Sequence, residues 1–590
     1  MFAPSASERL YRLFRVFVIG IAFLSGFSVM PVLAQDEEAP EEPPAELMKK
    51  PIVTIAVGSV ERLKTDIKHI FDVAGRSDIY EAMESGLENM GDLKGMEQTK
   101  PFGAMVFLRA GMPPVPEVVG FAPVEKIEDL TKTLEIGPVV TKKIDDTHYE
   151  IIGMRGEFQV LLKGGYAFIS NEAEVLENDF PDPVRSTKGL TSKFDIGITL
   201  NLDSIPRLTR DLFMGFVKAQ ANADLQQRDD EPDGVYKMRR ASSQHTLTGL
   251  TQVMNELERL TIGIDADAEK SEMAFEIVMD AQEDSKLAKE MKRINSKRNY
   301  YETLLDENAP MTLSASFPMV EKDKEFWTDI IDGGALTLQS ELFGESEDSD
   351  DGPLPPALTN MFDALRDTVK EGHTNMFMQF YGEPGAFSIV GGVKLVGGKA
   401  VGGGIRDLLE RLSGDLDVEV GSVELDAESH NDISFHHIAA KDADEAERMF
   451  GDQLGVYIGA DNRTLWFAIG GDAAFEKTTE LMDTLAEPKP ANRKRSRRAP
   501  MQMIFNINQW LGLDEDGEGV FFDAFEEGGD RVTVDVRTTD DGMRIRAQAE
   551  EGVIRLFGMG IGRRFDRRGE RRNRGGGRRG RPGGDGSERN

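Results

Sequence analysis

The sequence predicts an α+β chain of two similar halves, each an antiparallel sheet packed with helices, flanked by disordered termini. Three observations lead there. The stretch GYAFISNEAEVLEN, Gly165 to Asn178, reads as a strand running into a short acidic helix capped by Ser170 and Asn171. The pattern returns as TLWFAIGGDAAFEKTTEL, Thr464 to Leu481, with the same kinds of element in the same order around it. Each half also ends in a hairpin of strictly alternating residues, as a sheet with one buried face requires.

Composition sets the outer limits. The 590 residues are 39% hydrophobic and 29% charged, enough for a large core. Cysteine is absent, so burial alone holds the chain, without disulfides or a lipid-modified thiol. Formal net charge is -34, and the segment from Arg563 to Asn590 carries 11 Arg against 4 acids, so it is +7 and the remainder sums to -41. A body that acidic makes nucleic acid an unlikely main ligand, because the phosphate contribution would be repulsive.

The chain is read from its start as a targeting segment. Arg9, Arg12 and Arg15 precede the apolar run Val16 to Leu24, and Val32-Leu33-Ala34 suits signal peptidase. Residues 1–34 are therefore assigned to a signal peptide, with an uncleaved anchor as the alternative. Export to the periplasm or outside the cell follows. Residues 35–50, QDEEAPEEPPAELMKK, form a flexible acidic linker.

The first half is expected over 51–300. IVTIAV is a strand, Ser59 an N-cap, and Val60, Leu63, Ile67, Ile70 and Phe71 follow at helical spacing. Ile79, Met83, Leu87 and Met90 mark a second helix. Strands near Ala104 and Val118, the helix KIEDLTKTLE and short strands up to Asn171 come next. IGITLNL leads through Asp203-Ser204 into a helix, and Leu247, Leu250, Val253 and Leu257 define another. Leu260, Ile262 and Ile264, then Met273, Phe275, Ile277 and Met279, alternate as the closing hairpin.

The second half, 301–562, follows the same formula. It runs from MTLSASF through the helices around Phe326 and Leu365, NMFMQFY, FSIVGGVKL and the helix GIRDLLERL to a cluster of short strands. A basic linker, Lys489 to Arg498, precedes MQMIFNI, and the last hairpin turns at Asp541-Gly542. In that hairpin Val532, Val534 and Val536 share a face, as do Met543, Ile545 and Ala547. The tail 563–590 is low-complexity, Arg- and Gly-rich, and read as disordered.

Catalytic and cofactor signatures were sought along the whole chain. His436 and His437 are neighbours on a strand and point to opposite faces, so they do not form a metal site, and no metal or cofactor is assigned. The run Gly391 to Leu412 misses the phosphate-loop pattern and is read as a hairpin tip before a helix. Asp348, Asp350 and Asp351, and Asp514, Asp516 and Glu518, lack the full calcium-loop alternation and are read as solvated loops.

The closing motif MRIRAQAEEGVIRLFGMGI, Met543 to Ile561, taken with GYAFISNEAEVLE and TLWFAIGGDAAFE, resembles a group of large exported proteins of unknown function from bacteria of the planctomycete type. The resemblance implies export and a duplicated α+β body over Ile52 to Gly562, and it carries no catalytic residues. The leading expectation is a non-catalytic binding or structural protein of the envelope, its two halves facing each other across a ligand cleft. Phe168 and Trp466 are the candidate ligand residues, with lipid or glycan as the candidate partner. A hydrolase whose acids converge only in three dimensions is the second reading. The third is an envelope tether in which Arg563, Arg564, Arg567, Arg568, Arg571 and Arg572 contact an anionic surface.

Overall fold

The computed structural model describes residues 47–576 apart from 90, 110–113, 136–138, 154–155, 230, 298, 344–352, 413–421, 440–447, 452–453, 488–498 and 514–522, and for 134, 222–224, 341, 343, 412, 512–513 and 567–576 the backbone alone. The signal segment, both acidic runs, the basic linker and the end of the tail lie outside the described residues.

β1 (Val53–Val57) passes through Gly58 to Ser59, whose hydroxyl accepts from the Arg62 amide and caps α1 (Val60–Val73). α2 (Ser77–Asn89), β2 (Phe102–Arg109), β3 (Val115–Pro123) and α3 (Ile127–Leu134) follow. β4 (Val140–Lys143), β5 (His148–Gly153), β6 (Gly156–Lys163) and β7 (Tyr166–Ser170) make an antiparallel meander. After it come α4 (Ala173–Leu176) and α5 (Pro183–Thr191). The cap residue of α4 is Glu172, not Ser170 or Asn171, and the helix lasts one turn. β8 (Ile196–Asn201) leads to α6 (Arg207–Asp224) and α7 (Asp233–Glu256). The hairpin β9 (Leu257–Asp267) and β10 (Glu272–Ala281) and the helix α8 (Lys286–Arg293) end the half.

The second half runs β11 (Met311–Pro318), α9 (Glu321–Phe343), α10 (Pro356–Glu371), β12 (His373–Tyr381), β13 (Ser388–Lys394) and α11 (Gly398–Leu412). β14 (Val423–His430), β15 (Ile433–Ala439), β16 (Gly455–Ala460), β17 (Thr464–Gly470) and α12 (Asp472–Ala486) follow. β18 (Met501–Asn506), β19 (Arg531–Thr538), β20 (Gly542–Ala549) and α13 (Glu551–Gly576) complete it.

These strands pair into one 20-stranded, wholly antiparallel sheet. Its spatial order is β4-β5-β6-β7-β3-β2-β1-β8-β9-β10 and then β20-β19-β18-β11-β12-β13-β17-β16-β15-β14. Read outward from the middle, the two arms have the same strand order. The match extends to single bonds. The Gly58 amide donates to the Asp195 carbonyl at 2.9 Å, and the Ser316 amide donates to that of Pro500 at 2.7 Å. The Asn201 amide donates to Ile52 O at 2.8 Å, and the Asn506 amide to Pro310 O at 2.9 Å.

The halves do not face each other as the sequence suggested. They join edge to edge, β10 on β20, because each closing hairpin leaves one strand unpaired and an open edge is satisfied most completely by another strand. The pairing is itself symmetric. Glu276 stands opposite Arg546, and Ala274–Gln548 and Val278–Arg544 flank that pair on the same face. Arg546 Nη1 donates to Glu276 Oε1 at 2.9 Å.

Two covers lie on what we call the front face. In the first half Leu47, Val175, Leu176, Leu190 and Phe194 pack on Met105, Phe107, Val119, Phe121 and Phe168. In the second half α12 and the connector at Tyr301 and Leu304 pack on Phe377, Val390, Phe435 and Trp466. The longer helices lie over the back face, and two of them cross the seam. Gly234 of α7 and Gly333 of α9 approach so closely that a Cβ on either would meet the other's carbonyl, at 2.4 and 2.8 Å. α13 returns to α1, where a Cβ at Gly558 would meet Ala74 and Ile70 within 2.7 Å.

Three expectations are corrected. The linker 35–50 ends inside the fold, since Leu47 is buried and bridges Arg109. The tail does not begin at 563: α13 carries helix to Gly576, tied to the body by a two-pronged Arg76–Asp566 ion pair at 3.0 Å. The Gly-rich run is no hairpin tip. Gly402, Gly403 and Gly404 lie within α11, where a Cβ at Gly404 would meet Met361 of α10 at 2.4 Å.

Placing a second carboxylate beside Glu276 by Arg546→Glu should destabilise the protein by about 2 kcal/mol, the scale of a lost charge-assisted hydrogen bond. The exchange Glu276→Arg with Arg546→Glu should recover most of that loss. Urea unfolding of the three chains checks both expectations.

Candidate functional site

Between the two front covers the central strands are left open, and a cleft runs along them on both sides of the seam. Its floor near β1 is a row of threonines, Thr54, Thr199 and Thr261, placed side by side by the register of β1, β8 and β9. Its wall is α5 and the turn after it, with Leu190, Lys193 and Phe194. Two chambers share Lys193, Phe194, Val278 and Thr539.

The first chamber, about 330 Å³, lies over the seam and holds Lys193, Arg544 and Arg546 with Asp265 and Glu276. Arg544 and Arg546 reach Glu276 through Nη1, at 3.8 and 2.9 Å, while the Nε of each is buried without a hydrogen-bond partner. A buried guanidinium donor left open is costly. The second, about 390 Å³, adds Arg259 with Asp280, Asp540 and Asp541 beyond the threonine row. Burial raises the Asp280 pKa, against the pull of Arg259.

A cluster of acids stands at the cleft's end. Arg62 of α1 is paired through Nε with Asp195 and through Nη2, at 2.6 Å, with Asp265, and its Nη1 donates to Thr191 O at 3.3 Å. Asp195 Oδ2 accepts from the Ala266 amide at 2.6 Å. Asp66, one turn along α1, faces Asp195. Burial first, then the Asp195 charge and the hydrogen bond between the two, push its carboxyl up to about 7. Burial and Asp195 also raise Asp265, with Arg62 opposing.

This cluster belongs to one half alone. The strand registers put Pro500 at the place of Asp195 and Arg537 at the place of Asp265. A proline cannot carry the charge and an arginine reverses it. The two arms share their wiring and differ in this chemistry.

The sequence-nominated ligand residues are elsewhere. Phe168 is 3% exposed and stacked on Phe180 at 5.1 Å inside the first-half core. Trp466 is 1% exposed in the second-half core, edge-on to Phe377 and Tyr301. Each sits under its own cover, so the structure does not bring them together, and the front face of the seam carries Glu276, Arg544 and Arg546 instead of aromatics. Arg563 and Arg564 are exposed on α13. Arg567, Arg568, Arg571 and Arg572 fall on the helix's backbone, with no side-chain description.

Sequence reasoning missed Arg62, Asp66, Asp195, Asp265, Arg544 and Arg546. On α1 the first two read as the polar side of an amphipathic helix, Asp195 as the residue before a strand, and the others as polar positions of alternating strands. Among the described residues no acidic or histidine group has metal-binding geometry. The buried Ser316–His373 contact, 3.0 Å, is sealed from the cleft, and burial lowers that histidine to about 4. No family model, curated protein or solved structure matches the chain.

The Asp66 shift has a pH consequence. Its folded pKa lies above the ordinary 3.8, so the folded state holds a proton that the unfolded chain has released. The contribution is complete below the unfolded value and is lost as pH rises toward and through about 7. Thermal midpoints between pH 4.5 and 8.5 should fall over that window, and Asp66→Asn should flatten the fall.

Proposed function

We propose that this is an exported, non-catalytic binding or structural protein of the cell envelope, with its ligand site in the front cleft over the seam. The observation that carries the reading is the group of Lys193, Arg544 and Arg546 lining one chamber of a cleft to which both halves contribute. Export rests on the N-terminal segment and on the resemblance to exported planctomycete-type proteins. The common wiring of the two arms supports internal duplication of one antiparallel unit.

The charge layout selects the ligand. Arg544 and Arg546 stand with Asp265 and Glu276 in the first chamber, Asp280, Asp540 and Asp541 with Arg259 in the second, Lys193 reaches both, and the threonine hydroxyls lie beside them. A small molecule with an anionic group at one end and a cationic group at the other fits both, and a short peptide with free termini is the simplest case. A lipid or glycan is less suited, because among the residues lining the cleft the only aromatic is Phe194, itself buried.

The hydrolase reading draws on Asp66, an acid held protonated near neutrality beside Asp195. Both carboxyl groups are buried, at 7% and 4% residue exposure, and of the three acids Asp265 alone lines the cleft. That burial favours a holding role for the pair. The tether reading keeps the exposed Arg563 and Arg564 as its described contacts.

Titration calorimetry with trialanine should give saturable heat, weakened at least tenfold by capping both termini and by Lys193→Ala with Arg544→Ala. Absence of heat with free trialanine, or an undiminished signal in the double variant, would remove this reading. Circular dichroism of the variant keeps loss of fold apart from loss of binding.

A further inference from the structure

Thr191 to Asp195, the turn that joins α5 to β8, brings Lys193 and Phe194 to the cleft. It is gripped from two sides. On the β9 side the Asp195 amide donates to Ile264 O at 2.9 Å, and Phe194 lies over Gly263, where a Cβ would meet its ring at 2.2 Å. On the α1 side Arg62 Nη1 donates to Thr191 O at 3.3 Å, the Gly58 amide donates to Asp195 O at 2.9 Å, and Asp66 faces the Asp195 carboxyl.

The α1 grip holds more acid than base. Three carboxyl groups, Asp66, Asp195 and Asp265, gather round the guanidinium of Arg62, which answers Asp195 and Asp265. Asp66 and Asp195 are both buried, and two buried carboxylates in contact are costly to ionise together. One of them therefore keeps a proton, and that proton bonds Asp66 to Asp195. Burial first, and then the Asp195 charge, place its release at about 7. Beyond these groups, α1 carries His69 one turn on, and Lys64 is paired with Asp92. Asp267 of β9 and Arg546 of β20 act on Asp265. Asp78 of α2 and Arg555 of α13 meet the far end of α1, at Arg76 and at Val73 O.

We propose that the turn Thr191–Asp195 is a pH-operated latch on the cleft. With the proton in place Asp66 holds Asp195, and Lys193, two residues before it, stays where the two chambers meet. When the proton leaves, the Asp66 carboxylate repels Asp195 and the turn loosens from α1. An anionic group on the ligand then loses the cation that meets it. The cleft binds in mildly acidic surroundings and releases as pH rises through neutrality. The latch presupposes the cleft as the ligand site and rests on that reading.

Trialanine calorimetry and hydrogen exchange, each at pH 6 and pH 8, test the latch in the full chain and in Asp66→Asn. A single required proton released near pH 7 lowers the affinity roughly tenfold over that interval. The substituted amide is neutral at both pH values and can donate to Asp195. The variant should therefore show only the roughly twofold loss that comes from trialanine's own amino group. The amides of Phe194 and Asp195, bonded to Leu190 O and Ile264 O at 2.9 Å each, should exchange faster at pH 8 in the wild type after correction for intrinsic rates. In the variant they should exchange alike at both. Wild-type exchange that ignores pH, or an affinity that falls no further than twofold, overturns the latch whether or not the variant folds. So does a variant that tracks the wild type. No heat from the wild type at either pH removes the cleft reading itself, and the latch with it.

Discussion

The contact between β10 and β20 decides the form of this molecule. Either hairpin alone would leave an edge of unpaired amides and carbonyls, and the two edges remove each other. The registers relate the paired strands so that Glu276 and Arg546 occupy equivalent positions in the two arms. Identical residues there would place like charges together, which an antiparallel pair resists. An acid in one arm and a base in the other make the same position attractive. The symmetric wiring therefore depends on a local departure from symmetric sequence.

That departure recurs around the cleft. Thr54 and Thr312 hold the same place in their arms, inferred from the matched Gly58 and Ser316 amide bonds. Thr312 is covered, its hydroxyl donating to Asp306 O at 2.6 Å, whereas Thr54 lies on the cleft floor. The difference lies in the connector between the halves. Its backbone runs over the second front face without regular structure, so its polar groups need partners. Strand side chains supply them: Asn375 accepts from the Tyr300 amide at 3.0 Å and Gln379 from the Asp306 amide at 2.7 Å. One arm's front is sealed by chain, and the strands next to the seam are left open.

Local pattern made most of the elements legible. Alternation in Leu260 to Met279 and in Val532 to Ala547 placed both closing hairpins and their apolar faces, and Ser59 marked the start of α1. What no local pattern contains is the partner of a distant strand. The alternation of β10 says that it has an apolar face, not that its free edge meets a strand 270 residues away in the Glu276–Arg546 pair. Phe168 and Trp466 show the same limit, since alternation gives burial without showing whether a cavity lies above. Composition misled at the tail and at Gly402 to Gly404, where glycine permits close helix packing that looks like flexibility in sequence.

The Arg62 cluster shows how one side chain can join fold to site. Asp195 immediately precedes β8, Asp265 stands opposite it near the end of β9, and Arg62 comes from the first turn of α1. Two neighbouring carboxylates without a cation would repel each other, and a third, Asp66, adds to the charge. Arg62 answers two of them and a proton answers the third, which is why the Asp66 carboxyl is displaced upward. α1 is also the helix on which α13 docks, through Gly558 and through the Arg555 Nε bond to Val73 O at 3.1 Å. The contact that closes the second half on the first thus ends on the helix whose other end fixes Asp265 at the cleft. Asp66 stands on the same helix, between the Arg62 contact at the cleft and the α13 contact at the junction of the halves.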